Sequence, residues 1–145
     1  MTNTLKISLK ANEKIYINGA VIRPDRKVSL EFLNDVQFLL EQHVLQVEDA
    51  DTPLRQLYFI VQVMLMQPDD TEEARAMFRE TLTRLLGCFT DQRILASLKD
   101  LDRLVGQGQI YEALKLIRRL YPLEAEIMNG ERGRNEPPRA IAVGE

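Results

Sequence analysis

The sequence predicts an α+β fold: a small antiparallel β-sheet or open barrel at the N-terminus, followed by a four-helix C-terminal part. Three observations predict it. Apolar residues alternate with polar ones from Leu5 to about residue 47. After Thr52-Pro53 the apolar spacing becomes helical. Turn-forming residues fall between the runs, where a small domain needs them.

The strands come first. Leu5, Ile7 and Leu9 alternate with Lys6, Ser8 and Lys10, and Ile15 and Ile17 with Lys14, Tyr16 and Asn18. Period-two alternation puts each set on its own face. Ala11-Asn12-Glu13 is a short turn, since Asn tolerates positive φ. Asn18-Gly19 is a hairpin signal leading into Ala20–Ile22. Arg23-Pro24-Asp25-Arg26 is another turn. Val28, Leu30 and Phe32 alternate next, then Val36, Phe38 and Leu40 after Asn34-Asp35. Residues 43–47 fit one more short strand. A sheet this small has edges, which the helices should cover or a second subunit should pair. Strand pairing of that kind would give a homodimer.

The helices follow. Thr52 is an N-cap with Pro53 at the first helical position. Leu54, Leu57, Tyr58, Val61, Met64 and Leu65 keep helical spacing until Gln67-Pro68. Asp70 with Glu73 reads as a capping box for a second helix bearing Ala74, Met77, Phe78, Leu82, Leu85, Leu86 and Phe89. Asp91 caps a third, and Gly106-Gln107-Gly108 turns into a fourth that Pro122 should end or kink. The expected organisation is a β-rich module over 1–48, a helical module over 52–128 and a flexible tail over 129–145. Asp49-Ala50-Asp51 is the joint.

Composition excludes several functions. The 145 residues carry 19 basic and 22 acidic side chains, a net charge of −3. A protein coating nucleic acid without selectivity needs a positive excess. Cys88 is the single cysteine, so an intramolecular disulfide is impossible. The opening Met1–Lys6 lacks the apolar stretch of a signal peptide. Leu57–Met66 is too short to span a bilayer. We therefore expect a cytoplasmic protein that is not bound to membrane.

The chemistry of catalysis is missing. His43 is the sole histidine, and with a lone Cys88 it makes no zinc-type ligand set. Cys88, between Leu86 and Phe89, reads as a buried, inert thiol. Met64, Met66 and Met77 read as core. Asp69-Asp70 and Glu72-Glu73 suit a helix start, where carboxylates oppose the positive end of the dipole. No acid, base and nucleophile fall into a constellation. We expect no enzyme activity, no metal and no cofactor.

One surface stands apart. Residues 1–30 carry a net charge of +4 within an acidic chain. If the alternation puts Lys6, Lys10, Lys14, Tyr16 and Asn18 on one polar face, that face combines phosphate-pairing charge, a stacking ring and an amide. Arg23, Arg26 and Lys27 add to it. The combination suits single-stranded or looped RNA. Exposed lysines also serve plain solvation and edge protection. Lys115, Arg118 and Arg119 form a second basic stretch, with Glu112 spaced to pair with Lys115.

Three blocks carry a resemblance. Leu5-Lys6-Ile7-Ser8-Leu9-Lys10, Glu13-Lys14 and Asn18-Gly19-Ala20-Val21 resemble the opening of FlbT proteins. Thr52-Pro53-Leu54-Arg55-Gln56-Leu57-Tyr58-Phe59 resembles their mid-chain motif. Gly108-Gln109-Ile110-Tyr111-Glu112-Ala113-Leu114-Lys115 resembles their C-terminal one. Ala11-Asn12 stands where the family pattern has Pro-Gly. The resemblance implies a bacterial regulator of flagellum biogenesis acting after transcription. Its implied target is the 5′ leader of flagellin messenger RNA, with repression as the default. The alternative is an adaptor whose helices hold a flagellin or its secretion chaperone, with Arg55, Tyr58 and Phe59 as partner-binding residues.

Overall fold

The computed structural model describes residues 5–135. Five strands come first: β1 (Leu5–Leu9), β2 (Ile15–Ile17), β3 (Ala20–Ile22), β4 (Val28–Phe32) and β5 (Phe38–Leu40). Two 3₁₀ turns, Glu41–His43 and Val47–Asp49, lead to four helices. These are α1 (Pro53–Met66), α2 (Glu72–Cys88), α3 (Gln92–Gly106) and α4 (Ile110–Asn135). The α+β expectation holds.

The strands form two antiparallel sheets, β1–β4 and β3–β2–β5. β1 does not pair with β2. It pairs with β4 in the register Leu5↔Phe32, Ile7↔Leu30 and Leu9↔Val28. Local turn chemistry explains the geometry between β1 and β2. Asn12 takes φ 67°, and its N–H donates to Pro24 O at 2.8 Å. The β1–β2 turn is thereby tied to the β3–β4 connection. Asn18 (φ 50°) and Gly19 (φ 85°) make the tight β2–β3 hairpin with both residues left-handed. Only Gly is relaxed at the second position, where Pro68 also closes in to 3.4 Å from an added Cβ.

The middle sheet is apolar on both sides. Ile15, Ile17, Phe38 and Leu40 face the β1–β4 sheet, where they pack with Leu9, Ile7, Val28, Leu30 and Phe32. Tyr16 and Leu39, paired across the ladder, point the other way into the helical core. The outcome is three layers: a two-stranded outer sheet, a three-stranded middle sheet and the helices. Phe38 links them, with its ring 5.0 Å from Phe32 and 4.4 Å from Tyr111 at the start of α4.

Caps fix the helix starts. Thr52 Oγ1 accepts from Arg55 N–H, with Pro53 at the first helical position. Asp91 accepts from Arg93 and Ile94 N–H. The Asp70–Glu73 capping box does not form: α2 starts at Glu72, its N-cap is Thr71, and Asp70 N–H is used in a turn to Gln67 O. α4 contains Pro122 and continues through to Asn135, past residue 129 where the tail was expected to begin. Residues 136–145 lie outside the described residues. Residues 43–47 form no strand. Instead Gln62 of α1 holds them, accepting from Leu45 N–H at 2.8 Å and donating to Leu45 O at 2.9 Å. One glutamine side chain thus supplies the two bonds of a strand pair.

Among the described residues the most buried acidic side chain is Glu124, 1 % exposed. From α4 it accepts Leu54 N–H at 2.8 Å and the Thr52 hydroxyl at 2.7 Å. Its carboxylate sits at the α1 N-terminus, where unpaired backbone donors and the helix dipole favour an anion. Replacing Glu124 with Ala should destabilise the fold by about 3 kcal/mol, because buried donors lose a charged acceptor. Glu124→Gln should lose less. The midpoint of urea unfolding measures both, and equal midpoints for wild type and Glu124→Ala would refute the assignment.

Candidate nucleic-acid interface

The basic residues of the N-terminal part do not share one face. Lys6 and Ser8 stand exposed on the outer side of the β1–β4 sheet. Lys6 faces Glu31 across the ladder, and Ser8 faces Ser29. Tyr16 lies in the other sheet and is half-buried against the helices. It offers no free stacking ring, which corrects the expectation of a lysine–tyrosine surface. The reason is that β2 is covered on both sides. Asn18 sits in the β2–β3 turn, where its N–H donates to Gln37 O. Lys14, at the opposite end of β2, bonds with Glu41 through its backbone at 2.7 and 3.1 Å.

Four cations do come together. Lys10 and Lys27 flank the Leu9↔Val28 pair that ends the outer sheet. The Asn12–Pro24 bond brings the turn after Lys10 against the turn holding Arg23 and Arg26. All four side chains are exposed. Glu13 accepts from Lys10 N–H at 2.9 Å and closes the first turn. Arg26 makes a two-point contact with Asp25, both bonds at 3.0 Å. The contact holds the Asp25 carboxyl below the usual range and raises the Arg26 guanidinium. Lys10, Arg23 and Lys27 make no ion pair among the described residues.

The mid-chain residues divide. Tyr58 is fully buried, so it cannot meet a partner. Its hydroxyl donates to His43 O at 2.6 Å and accepts from Arg118 Nη1 at 2.9 Å, and burial pushes its phenol up. Arg55 lies 4.3 Å over the Tyr121 ring. Tyr121 Oη is buried with no hydrogen-bond partner, and its phenol is also raised by burial. Phe59 is half-exposed and lines an outer groove. Cys88 is exposed at the last turn of α2, and Met77 is 48 % exposed. Both were expected inside. The covered stripe of α2 runs through Ala74, Phe78, Thr81, Leu82 and Leu85, which leaves both on its open side.

Gln37 has a structural role that its sequence context does not mark. Its Oε1 accepts Tyr111 N–H at 2.7 Å and so caps α4. A cavity of about 430 Å³ lies between Phe32, Asn34–Phe38 and the α3–α4 turn at Gly108. Asp35 and Glu112 line it without a cation, so it does not extend the basic end. Lys115 pairs with Glu112 at 3.7 Å, as the spacing suggests. Among the described residues no three His, Cys, Asp or Glu side chains gather to hold a metal ion. No described helix is long and apolar enough to cross a membrane.

The fold is a small α+β one, two stacked sheets on a helical bundle, with exposed basic residues at one end of the outer sheet. The family model "Flagellar protein FlbT" matches residues 5–128. The chain is 64 % identical over its full length to the full length of "Probable flagellum biosynthesis repressor protein FlbT" of Chelativorans sp. (strain BNC1). It is 62 % identical to the protein of that name from Mesorhizobium japonicum, over 99 % of this chain and 98 % of the relative. The corresponding Agrobacterium fabrum protein is 57 % identical over 90 % of this chain and 88 % of its own length. The chain belongs to the FlbT family. No solved structure matches it.

His43 should give the stability of the fold a pH dependence. Burial, and then the nearby Arg118 charge, lower its pKa from the ordinary 6.5. A depressed histidine binds its proton more weakly in the folded state than in the unfolded one. Its contribution to stability is therefore complete above about pH 6.5 and declines as the pH falls below that. Urea midpoints measured from about pH 8 to about pH 5.5 should fall over the lower part of that range, and His43→Gln should flatten the fall. An unchanged slope in the variant would assign the effect to other groups.

Proposed function

We propose that the chain represses flagellum biogenesis after transcription, by associating in the cytoplasm with the 5′ leader of flagellin messenger RNA. The observation that carries this reading is the gathering of Lys10, Arg23, Arg26 and Lys27 at the exposed end of the outer sheet. Relatives bearing the repressor name match along almost the whole chain, which supports the regulatory role. The four cations provide phosphate pairing rather than base readout. A single strand crossing that end would meet the lysines first, with Arg26 already engaged by Asp25. Repression of this kind needs no catalysis. A bound protein masks the ribosome site or presents the message to a nuclease.

Lys6 sits beside Glu31, Lys14 beside Glu41 and Tyr16 under the helices, so Lys10, Arg23 and Lys27 are the residues to change. Replacing all three with Ala should leave the fold intact, since all are exposed. Leader binding should weaken, and the slope of log affinity against log salt should shrink by about 2, at roughly 0.7 for each lost phosphate contact on a single strand. Titration of a labelled leader at several ionic strengths measures both. Unaltered affinity and slope in the triple variant would move RNA contact away from this end.

The adaptor reading, with a flagellin or its chaperone as partner, is favoured by a different observation. Phe59 opens into an apolar groove on the helical side, away from the basic turns.

A further inference from the structure

We propose that the outer groove between α1 and α2 is a docking site for a basic amphipathic helix of a partner protein. Two cavities of about 270 and 440 Å³ meet there, sharing Phe59, Ile60 and Met77. Val63 continues the floor at one end and Val47 at the other. Met77 is 48 % exposed and Val47 63 %, so the strip is largely uncovered. From Gln56 to Gln67 the α1 wall covers three helical turns, or about 16 Å at the α-helical rise.

Shape and hydrogen bonding select a helix. The groove is walled by two helices, whose backbone groups along it are already paired. An extended strand would find no edge to add to, whereas a third helix can lay its apolar ridge between the two. Anchors at i, i+3 or i+4, and i+7 would meet Val47, Phe59–Ile60 with Met77, and Val63 in turn.

Charge selects the rim of that helix. Asp70, Glu73 and Glu80 line the groove, against Arg84 alone. Glu48 and Asp49 stand exposed beside Val47. Lysines or arginines flanking the anchors would be attracted on approach, and an acidic helix would be repelled. The same rim repels phosphate, so RNA is a poor occupant. A second copy fits badly too. Among the described residues the apolar stripes of the chain's own helices pack against the core. The proposal shares its side of the molecule with the adaptor reading but makes no use of RNA. Failure of leader binding leaves it standing, and its own failure leaves leader binding untouched.

The test uses the full chain without RNA. The probe is a helical peptide of about five turns, built only from leucine and lysine in amphipathic order. Its counterpart carries glutamate in place of lysine. Methyl NMR should show shifts at Ile60, Val63 and Met77 with the lysine peptide and none with the glutamate peptide. Met77→Glu should weaken the lysine peptide roughly tenfold or more without unfolding the protein. The double change Glu73→Lys, Glu80→Lys should invert the preference between the peptides. Leu33→Glu, on the β side, should do neither. The proposal is overturned if neither peptide binds, if both bind alike, or if the shifts fall elsewhere. It is also overturned if the free chain associates through Met77 as its concentration rises, because the groove would then be a self-interface.

Discussion

The ladder between β2 and β5 is the constraint on which the rest of the structure depends. It lies between two apolar layers, so neither of its faces can be wet. Ile15 and Phe38 serve one layer, and Tyr16 and Leu39 the other. Slipping this pair by one residue would exchange the two sets and put a tyrosine among the small-sheet aliphatics. Each attachment of the β part to the bundle follows from that placement. Gln37 stands immediately before β5 and reaches α4. Phe38 stacks on Tyr111. The chain leaving β5 enters the 3₁₀ turns that Gln62 and Tyr58 hold by their polar ends.

Features governed by neighbouring residues were legible in the sequence. Asn12 and Asn18-Gly19 announced their turns, because few residues accept a left-handed backbone. Thr52-Pro53 and Asp91 announced helix starts, since a short side-chain acceptor satisfies donors two or three positions on. The side to which Tyr16 points was not legible. Alternation fixes which residues share a face, and says nothing about which face meets water. A signal was present in Phe38-Leu39-Leu40, a continuous apolar run of the kind that marks a strand covered twice. Such a run marks the strand paired with it as interior.

Other features were hidden by distance along the chain. Glu124 serves Leu54 from 70 residues away, and Gln37 serves Tyr111 from 74. No periodicity links such pairs, and each polar residue alone reads as surface. The candidate site shared this fate. Six basic residues in the first thirty suggested one patch, but strand pairing sorted them, leaving four at one end, with Arg26 paired to Asp25, and Lys6 and Lys14 elsewhere on the two sheets. The sorting also separates charge by region: cations collect on the turns of the outer sheet, while carboxylates collect on the open side of α1 and α2. The two proposed sites therefore differ in the sign of their charge as well as in their place on the fold.

The third strand of the middle sheet has a different consequence. β3 is an edge whose three residues are all exposed, with Val21 at 60 % and Ile22 at 46 %. Long bare edges of this composition polymerise. Here the edge is cut short at both ends, by the Asn18-Gly19 hairpin and by Pro24, which has no N–H to donate. Only about three residues can be copied by an incoming strand, too few for a stable hairpin-like pairing in water. Brevity therefore acts as the protective device.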